Sequence, residues 1–222
     1  IGSWLVPTAA FFGSWVVTLM LYSVSTRGGR TSVAVMLLAG IAFQALAGAV
    51  TGIMLYLADD TQLRDLTFWQ LGSLSGATWT KVSSALPFIC AALIAAPLLA
   101  RSLNGLALGE AAAAHLGIPV QRAKALVVLA VASAVGAAVA ISGGIGFVGI
   151  VVPHLLRLVI GPEHRYLLFA SGFMGAIMLI GADMIARVIV APAELPIGVV
   201  TALVGGPLFF YILLRNRSVL DV

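Results

Sequence analysis

Residues 103–119, LNGLALGEAAAAHLGIP, separate two hydrophobic segments that are each long enough to cross a lipid bilayer. Alanine-rich sequence favours helix, and Leu108, Ala112 and Leu116 recur at the four-residue spacing of one helix face. Pro119 cannot donate a hydrogen bond inside a continuing helix. The stretch is too short and too weakly apolar to cross a membrane, so we expect a pair of short helices at the membrane surface. An ordinary connecting loop is the alternative.

The composition is that of an integral membrane protein. Of the 222 residues, 61% are hydrophobic and 9% are charged, and a soluble domain of this length could not bury so much apolar surface. The 24 glycines suit close packing of helices in lipid. No alternating ten-residue pattern of a β-barrel is present, so the spans should be helices. The single cysteine, Cys90, lies in an apolar run and is expected to serve packing.

Seven segments are predicted to cross the membrane. Six are 17–25 residues or longer and span about 4–25, 31–57, 83–101, 124–142, 167–190 and 197–214. The seventh, 146–160, is shorter and contains a proline, a histidine and an arginine. The segment 58–80 is rich in aromatic residues, glycine and serine, and its apolar runs are too short to cross, which predicts a re-entrant or interfacial helix.

Lysine and arginine residues predict the orientation, because they are enriched in cytoplasmic loops. If the seven segments cross in order, nine of the 12 basic residues lie on one side and three, Arg64, Lys81 and Arg187, lie on the other. This places 26–30, 102–123, 161–166 and the C-terminus in the cytoplasm. The chain begins at Ile1 close to a span, so we expect further sequence to precede it.

No enzyme or metal motif is present. The sequence lacks a GxxxxGK[ST] loop, an HExxH motif and a cysteine cluster. His115, His154 and His164 lack the convergent spacing of metal ligands. We expect His154 to bond backbone carbonyls that Pro153 leaves free.

Charges near the ends of spans are candidates for function. Asp183 and Arg187 stand four residues apart on one predicted helix, which allows an ion pair. The spacing leaves two readings equally open: the pair serves docking of another protein, or the two charges only neutralise each other at the interface. Glu194 lies in the turn PAELP at 192–196, which could simply set the angle between two helices.

Two glycine-rich stretches predict irregular backbone or close packing. SGGIGFVG at 142–149 should open a helix and leave backbone amides free, but no strand precedes it, so it is not a dinucleotide-binding fingerprint. GGP at 205–207 should kink the last span or let another element approach it closely.

Taken together, these motifs resemble the permease subunits of type II ATP-binding-cassette (ABC) importers, the FecCD family, which import iron–siderophore complexes, haem and vitamin B12. The resemblance covers the whole chain in order, through the following segments: LLAGIAFQAL (37–46), FWQLGSLSGATW (68–79), LNGLALGEAAAAHLGIP (103–119), SGGIGFVGIVVPHLLRLVIGPEHR (142–165) and GADMIARVIVAPAELPIGVVTALVGGPLF (181–209).

The resemblance implies an all-α, polytopic transmembrane bundle in the cytoplasmic (inner) membrane of a bacterium. Permeases of this family have ten helices, and this chain resembles the last seven, plus a re-entrant helix and short cytoplasmic coupling helices. Residues 1–222 would form a single permease domain. The implied partners are a second copy of the permease, two cytoplasmic ATPase subunits, a substrate-binding protein on the outer side, and lipid. No nucleic acid and no cofactor are expected, since ATP binds to the partner subunits, and no catalytic site is expected.

The resemblance also implies roles for particular residues. Residues 103–118 resemble the coupling helices that contact the ATPase, with contact residues Leu106, Leu108, Gly109, Glu110 and Leu116. Arg187 matches the arginine that pairs with a glutamate of the binding protein. The turn at 25–27 resembles the inner gate, and the helix at 66–79 resembles the re-entrant helix near the outer gate. The polar residues expected at the gates or along the pathway are Ser25, Thr26, Ser73 and Ser75.

The cargo implied by the resemblance is an iron chelate, a siderophore or haem, with cobalamin as the alternative. A secondary transporter driven by an ion gradient is a more distant alternative, and it predicts charges converging at mid-membrane. The centres of the spans here are almost uncharged. An intramembrane enzyme would need a nucleophile–base or metal constellation, which the sequence lacks.

Overall fold

The computed structural model describes residues 2–28, 30–190 and 193–215, and these ranges fold almost entirely into helices. The helices are α1 (Gly2–Ser25), α2 (Val33–Leu57), α3 (Asp60–Leu71), α4 (Trp79–Ala107), α5 (Glu110–His115), α6 (Val120–Ser142), α7 (Val148–Ile160), α8 (His164–Val188) and α9 (Ile197–Arg215). Two short antiparallel strands, β1 (Thr26–Arg27) and β2 (Arg30–Thr31), form a hairpin between α1 and α2. The predicted helical fold class is confirmed.

Within the described ranges, five helices are long and apolar enough to cross a membrane: Thr8–Ser25 of α1, then α2, α4, α6 and α8. The apolar helices Val148–Ile160 and Ile197–Tyr211 are shorter. At 1.5 Å per residue, the 13 residues of α7 extend about 20 Å, against a hydrocarbon core of about 30 Å. The crossing of these two segments stays a prediction. The predicted cytoplasmic C-terminus lies outside the described residues.

The helix surfaces are those of a protein in lipid. No residue of the described α2 is buried, although the helix is almost wholly apolar. Leu37, Leu38 and Ile41 are each about two-thirds exposed. Large apolar side chains in these positions are stable when hydrocarbon rather than water surrounds them.

Tertiary contacts divide the chain into two compact units. The first comprises Ile1–Thr67 and Ala77–Ile141. Within it, α6 buries a face of small residues, among them Ala132, Gly136 and Ala140 at four-residue spacing. A Cβ at Gly136 would lie 2.9 Å from Oγ of Ser14, so α1 approaches α6 closely because no side chain intervenes.

The second unit comprises Phe68–Gly76 and Ser142–Val222, and its α7, α8 and α9 pack on one another. Its core contains Ala182, Ala186, Ile197 and Val200. The GGP stretch allows the predicted close approach: a Cβ at Gly205 would lie 2.5 Å from Cβ of Phe147. Phe147, which precedes α7, has a φ of 68°. The single-domain assignment stays a prediction.

The predicted helix at 66–79 is wrong in its bounds. The helix α3 begins at Asp60, where Oδ1 of Asp59 accepts a hydrogen bond from the amide of Gln62 at 2.8 Å. It ends at Leu71, because Gly72 has a φ of 72° and turns the chain out of the helix. Residues 72–78 form a loop.

The predicted pair of short helices at 103–118 is also wrong in one respect. Residues 103–107 are the last turn and a half of the long helix α4, and only α5 is a separate short helix. Leu108, Ala112 and Leu116 therefore do not share one continuous helix face. Leu108 caps α4, and Leu116 caps α5.

Candidate functional site

The segment 108–117 consists of the short helix α5 and the two tight turns that flank it. Gly109 and Gly117 have φ angles of 100° and 75°, which side chains of other residues rarely tolerate. The amide of Gly109 donates to the carbonyl of Leu106 at 3.0 Å, and the amide of Ile118 donates to the carbonyl of Ala113 at 3.0 Å. The first bond pairs a carbonyl at the C-terminal end of α4, and the second pairs one at the C-terminal end of α5.

One side of α5 is anchored and the other is exposed. Ala113 is fully buried, and Ile118 covers Gly105 of α4 so closely that a side chain there would displace it. Leu108 is 71% exposed and Leu116 is 61% exposed. Of the other predicted contact residues, Gly109 and Glu110 are exposed and Leu106 is partly buried. The segment therefore presents two large apolar side chains from a firmly seated base.

Ala113→Leu is expected to lower the free energy of unfolding by about 1–3 kcal/mol, because three additional carbons must enter a filled space. The matched control is Ala114→Leu, the next residue of α5, whose side chain is exposed. Thermal unfolding of the two purified variants in detergent measures the difference. Equal melting temperatures would contradict the seating described for α5.

Glu110 forms an ion pair with Lys124, a residue for which the sequence predicts no functional role. Its Oε1 lies 2.6 Å from Nζ of Lys124 on α6, and the same Nζ donates to the carbonyl oxygen of Thr31 on β2 at 2.6 Å. The Lys124 side chain is 10% exposed and that of Glu110 is 51% exposed. Oε1 of Gln121 accepts from the amide of Thr31 at 3.2 Å. These pairs lie 14, 93 and 90 residues apart in the chain, so no local spacing could have found them.

The predicted inner-gate residues Ser25 and Thr26 lie at the end of α1 and in β1. Ser25 is buried, and its hydroxyl donates to the carbonyl of Leu21 at 2.6 Å. The hydroxyl of Thr26 donates to the carbonyl of Tyr22 at 2.7 Å and lies 2.9 Å from the hydroxyl of Thr31. Both side chains are thus bonded within the α1–hairpin junction, and their role in a gate stays a prediction.

Ser73 and Ser75 lie in the loop after α3, with their hydroxyl oxygens 2.8 Å apart. The amide of Ser73 donates to the carbonyl of Ser142 at 2.8 Å, and the amide of Ile197 donates to the carbonyl of Gly72 at 3.0 Å. The loop is therefore fixed to the end of α6 and the start of α9 by main-chain bonds. The role of the two serines stays a prediction.

Glycines make this main-chain joint possible. A Cβ at Gly143 would overlap the carbonyl oxygen of Trp69, and a Cβ at Gly198 would overlap that of Leu71. The amide of Gly144, expected to be free, donates to the carbonyl of Trp69 at 3.4 Å. The prediction of free amides is therefore wrong at this residue, because the end of α3 supplies an acceptor.

The predicted ion pair on α8 is present. Nε of Arg187 donates to Oδ2 of Asp183 at 2.8 Å, and its NH1 lies 3.8 Å from Oε1 of Glu194. The Arg187 side chain is 46% exposed. Two carboxylates therefore hold a half-exposed guanidinium near the end of α8, and a guanidinium has five N–H donors, more than these two carboxylate contacts use. Pro192 of the adjacent turn lies outside the described residues.

The histidines do not form a metal site within the residues that the structure describes. No group of three or more His, Cys, Asp or Glu side chains that could hold a metal ion occurs within 2–28, 30–190 and 193–215. Nε2 of His154 is buried and has no hydrogen-bond partner among the described residues. The expectation that His154 bonds free carbonyls beside Pro153 is thus wrong for this nitrogen.

Comparison with known proteins places the chain in a family. The FecCD transport family matches residues 1–215. The chain belongs to the FecCD transport family. The hemin transport system permease protein HmuU of Yersinia pestis is 46% identical to this FecCD chain, over 94% of the chain and 62% of that protein. The resemblance drawn from the motifs is confirmed.

Two further FecCD relatives are import permeases for a different cargo. The cobalamin import system permease protein BtuC of Halobacterium salinarum is 43% identical over 96% of the chain and 57% of that protein. The vitamin B12 import system permease protein BtuC of Vibrio cholerae is 44% identical over 95% of the chain and 63% of that protein. The chain spans about three fifths of the length of these curated relatives.

A solved structure also matches this chain. A metal-chelate type ABC transporter in an inward-facing conformation superposes with a TM-score of 0.80 at 29% identity. The match covers 94% of this chain and 71% of that one. Family and apolar helices together identify a multi-pass membrane permease fold.

Proposed function

We propose that this protein is the membrane permease subunit of an ABC importer. The observation that carries the proposal is the match of the FecCD family to residues 1–215, which covers nearly the whole chain. The exposed leucines of the segment 108–117 support it, since a seated helix with two apolar side chains offers a contact surface for another protein. ATP hydrolysis takes place on partner subunits, and this chain performs no covalent chemistry.

The proposed cargo is an iron chelate, either haem or a siderophore complex. Of the three relatives described above, the hemin permease has the highest identity, 46%. Cobalamin is the alternative cargo, because the two cobalamin permeases, at 43% and 44%, are nearly as similar. The solved transporter of the metal-chelate type supports the first choice.

The proposed assembly contains two copies of the permease, two cytoplasmic ATPase subunits and an outer substrate-binding protein. ATP binding draws the ATPase subunits together and displaces the segment 108–117 that rests on them. A ligand shifts a conformational equilibrium only through different contacts with the two states, and these contacts supply that difference. The helices flanking the pathway then exchange outward- and inward-open arrangements. The predicted gates at Ser25 and Thr26 and at Ser73 and Ser75 open alternately.

The full-length protein in proteoliposomes, together with its ATPase subunits and binding protein, tests the proposal directly. Uptake of hemin, a ferric siderophore and cobalamin is measured with ATP, with a non-hydrolysable analogue, and with an ion gradient alone. We expect ATP-dependent uptake of one of the iron chelates. Uptake driven by the ion gradient without ATP would overturn the proposed class, and ATP-dependent uptake of cobalamin alone would replace the cargo.

Arg187→Glu is expected to weaken binding of the substrate-binding protein by about tenfold, because reversing a charge at a complementary surface replaces attraction with repulsion. The effect should shrink as salt is added, since exposed charges are screened over about 10 Å at 0.1 M. Arg187→Lys, which keeps the charge, is the control. Affinity for the immobilised permease complex is measured across a salt series. Equal affinity of the wild type and Arg187→Glu throughout would remove Arg187 from the docking surface.

A further inference from the structure

The ammonium group of Lys124 bridges two separate elements of the first unit. Its Nζ lies 2.6 Å from Oε1 of Glu110 on α5 and 2.6 Å from the carbonyl oxygen of Thr31 on β2. The side chain is nine-tenths buried. A buried ammonium is costly without partners, and here one partner belongs to α5 and the other to the hairpin. The position of Lys124 is therefore coupled to both elements.

The start of α6 contacts the hairpin through a second side chain, that of Gln121. Oε1 of Gln121 accepts from the amide of Thr31 at 3.2 Å and lies 3.1 Å from its hydroxyl. Gln121 and Lys124 stand three residues apart on one face of α6. Thr31 itself is buried, at 2% exposure. Three polar contacts thus attach the strand β2 to the first turns of α6.

The two ends of the bridge differ in their exposure. The contact between Lys124 and Thr31 is enclosed, whereas the Glu110 carboxylate is about half exposed. The carboxylate end of the pair is therefore accessible to a protein that binds at this surface, while the ammonium end is enclosed. A protein that contacts the segment 108–117 therefore reaches the Glu110 end of the bridge first, and a change there alters the charge environment of Lys124.

We propose that Lys124 is a positioning residue that transmits movement of α5 to the β1–β2 hairpin. The inference rests on the proposed function, because it takes the ATPase subunits as the source of the movement. When α5 shifts, the Glu110–Lys124 pair draws the start of α6 with it, and the bonds of Lys124 and Gln121 to Thr31 carry the hairpin along. Loss of the ammonium separates α5 from the hairpin without removing the surface that contacts the ATPase.

The test uses the full-length assembly with a single reporter cysteine at Arg27, an exposed residue of β1, after Cys90 and every other cysteine of the assembly are replaced by serine. The rate of labelling by a membrane-impermeant maleimide is measured with and without a non-hydrolysable ATP analogue. We expect the nucleotide to change the rate by about fivefold or more in the parent assembly. Lys124→Met should abolish the change while the ATPase subunits still co-purify. Lys124→Arg keeps the charge and should retain more of the change than Lys124→Met does, although the larger planar guanidinium fits the enclosed site less well.

A simple loss of stability would lower the melting temperature of Lys124→Met and leave the nucleotide response of its folded fraction intact, which would overturn the proposal. Glu110→Gln provides a second measurement, because it leaves the enclosed bond to Thr31 in place. Since Glu110 is also a predicted ATPase contact, its response is compared with the parent at equal occupancy of the ATPase subunits. It should reduce the response, and a full response would also overturn the proposal.

Arg122→Met removes an exposed charge two residues from Lys124 and should respond as the parent does. A parent assembly that neither binds ATPase subunits nor responds to nucleotide would instead overturn the proposed function.

Discussion

Replacing both Leu108 and Leu116 with aspartate is expected to detach the permease from its ATPase subunits and to abolish ATP-dependent uptake. Burying a leucine side chain contributes about 2 kcal/mol to binding. Losing both leucines should therefore weaken the affinity for the ATPase subunits by about three orders of magnitude. The exposed fractions, 71% and 61%, show that neither side chain supports the fold of the described chain. The variant should therefore insert and melt as the wild type does.

Co-purification of the ATPase subunits, and titration of their binding to the permease in nanodiscs, measure this loss. The matched control replaces the same two leucines with methionine, which is apolar and of similar volume. It should keep both ATPase binding and uptake. Wild-type ATPase affinity in the aspartate variant would show that the segment 108–117 is not the docking surface.

Gly143→Ala is expected to give the largest loss of stability among glycine-to-alanine substitutions in the described part of the second unit. The new Cβ would overlap the carbonyl oxygen of Trp69, which a main-chain atom cannot easily avoid. The φ of 70° adds strain of about 1–2 kcal/mol for a residue with a side chain. With about 1–3 kcal/mol for the overlap, the melting temperature should fall by about 4–20 °C.

Gly146→Ala is the matched control for this prediction, three residues further along the same loop. A Cβ at Gly146 meets nothing within 4 Å, and its φ is not in the left-handed region. Thermal unfolding of both variants in the same detergent provides the measurement. If both variants melted at the same temperature, the close approach of residues 69–72 to 143–144 would be wrong.

The parts of the fold that depend on local composition could be predicted from the sequence. The predicted span 31–57 corresponds to Val33–Leu57, and 124–142 corresponds to Val120–Ser142, because a run of apolar residues is visible in any window of the chain. The pair of Asp183 and Arg187 was predictable for a related reason, since four-residue spacing on a helix brings the two side chains together.

The bounds of α3 were missed although a signal was present. The wider segment predicted from composition, 58–80, contains α3, whereas the bounds 66–79 came from the family resemblance. Asp59 is a good N-cap residue, and its carboxylate accepts from the amide of Gln62 where the helix begins. The bridge through Lys124 had no such signal. Its partner Thr31 lies 93 residues away, and only the packing of α6 beside the hairpin brings the two together.

The joint between the loop after α3, the end of α6 and the start of α9 is made from main-chain atoms and glycines. Its bonds run from the amides of Ser73, Gly144 and Ile197 to carbonyl oxygens, and none needs a particular side chain apart from the small size of the glycines. Substitutions of Ser73 or Ser75 can therefore change the chemistry of the loop without loosening its attachment. On the proposed pathway role of these two serines, the side chains that face the cargo would be free to vary while the main-chain joint around them stays constant.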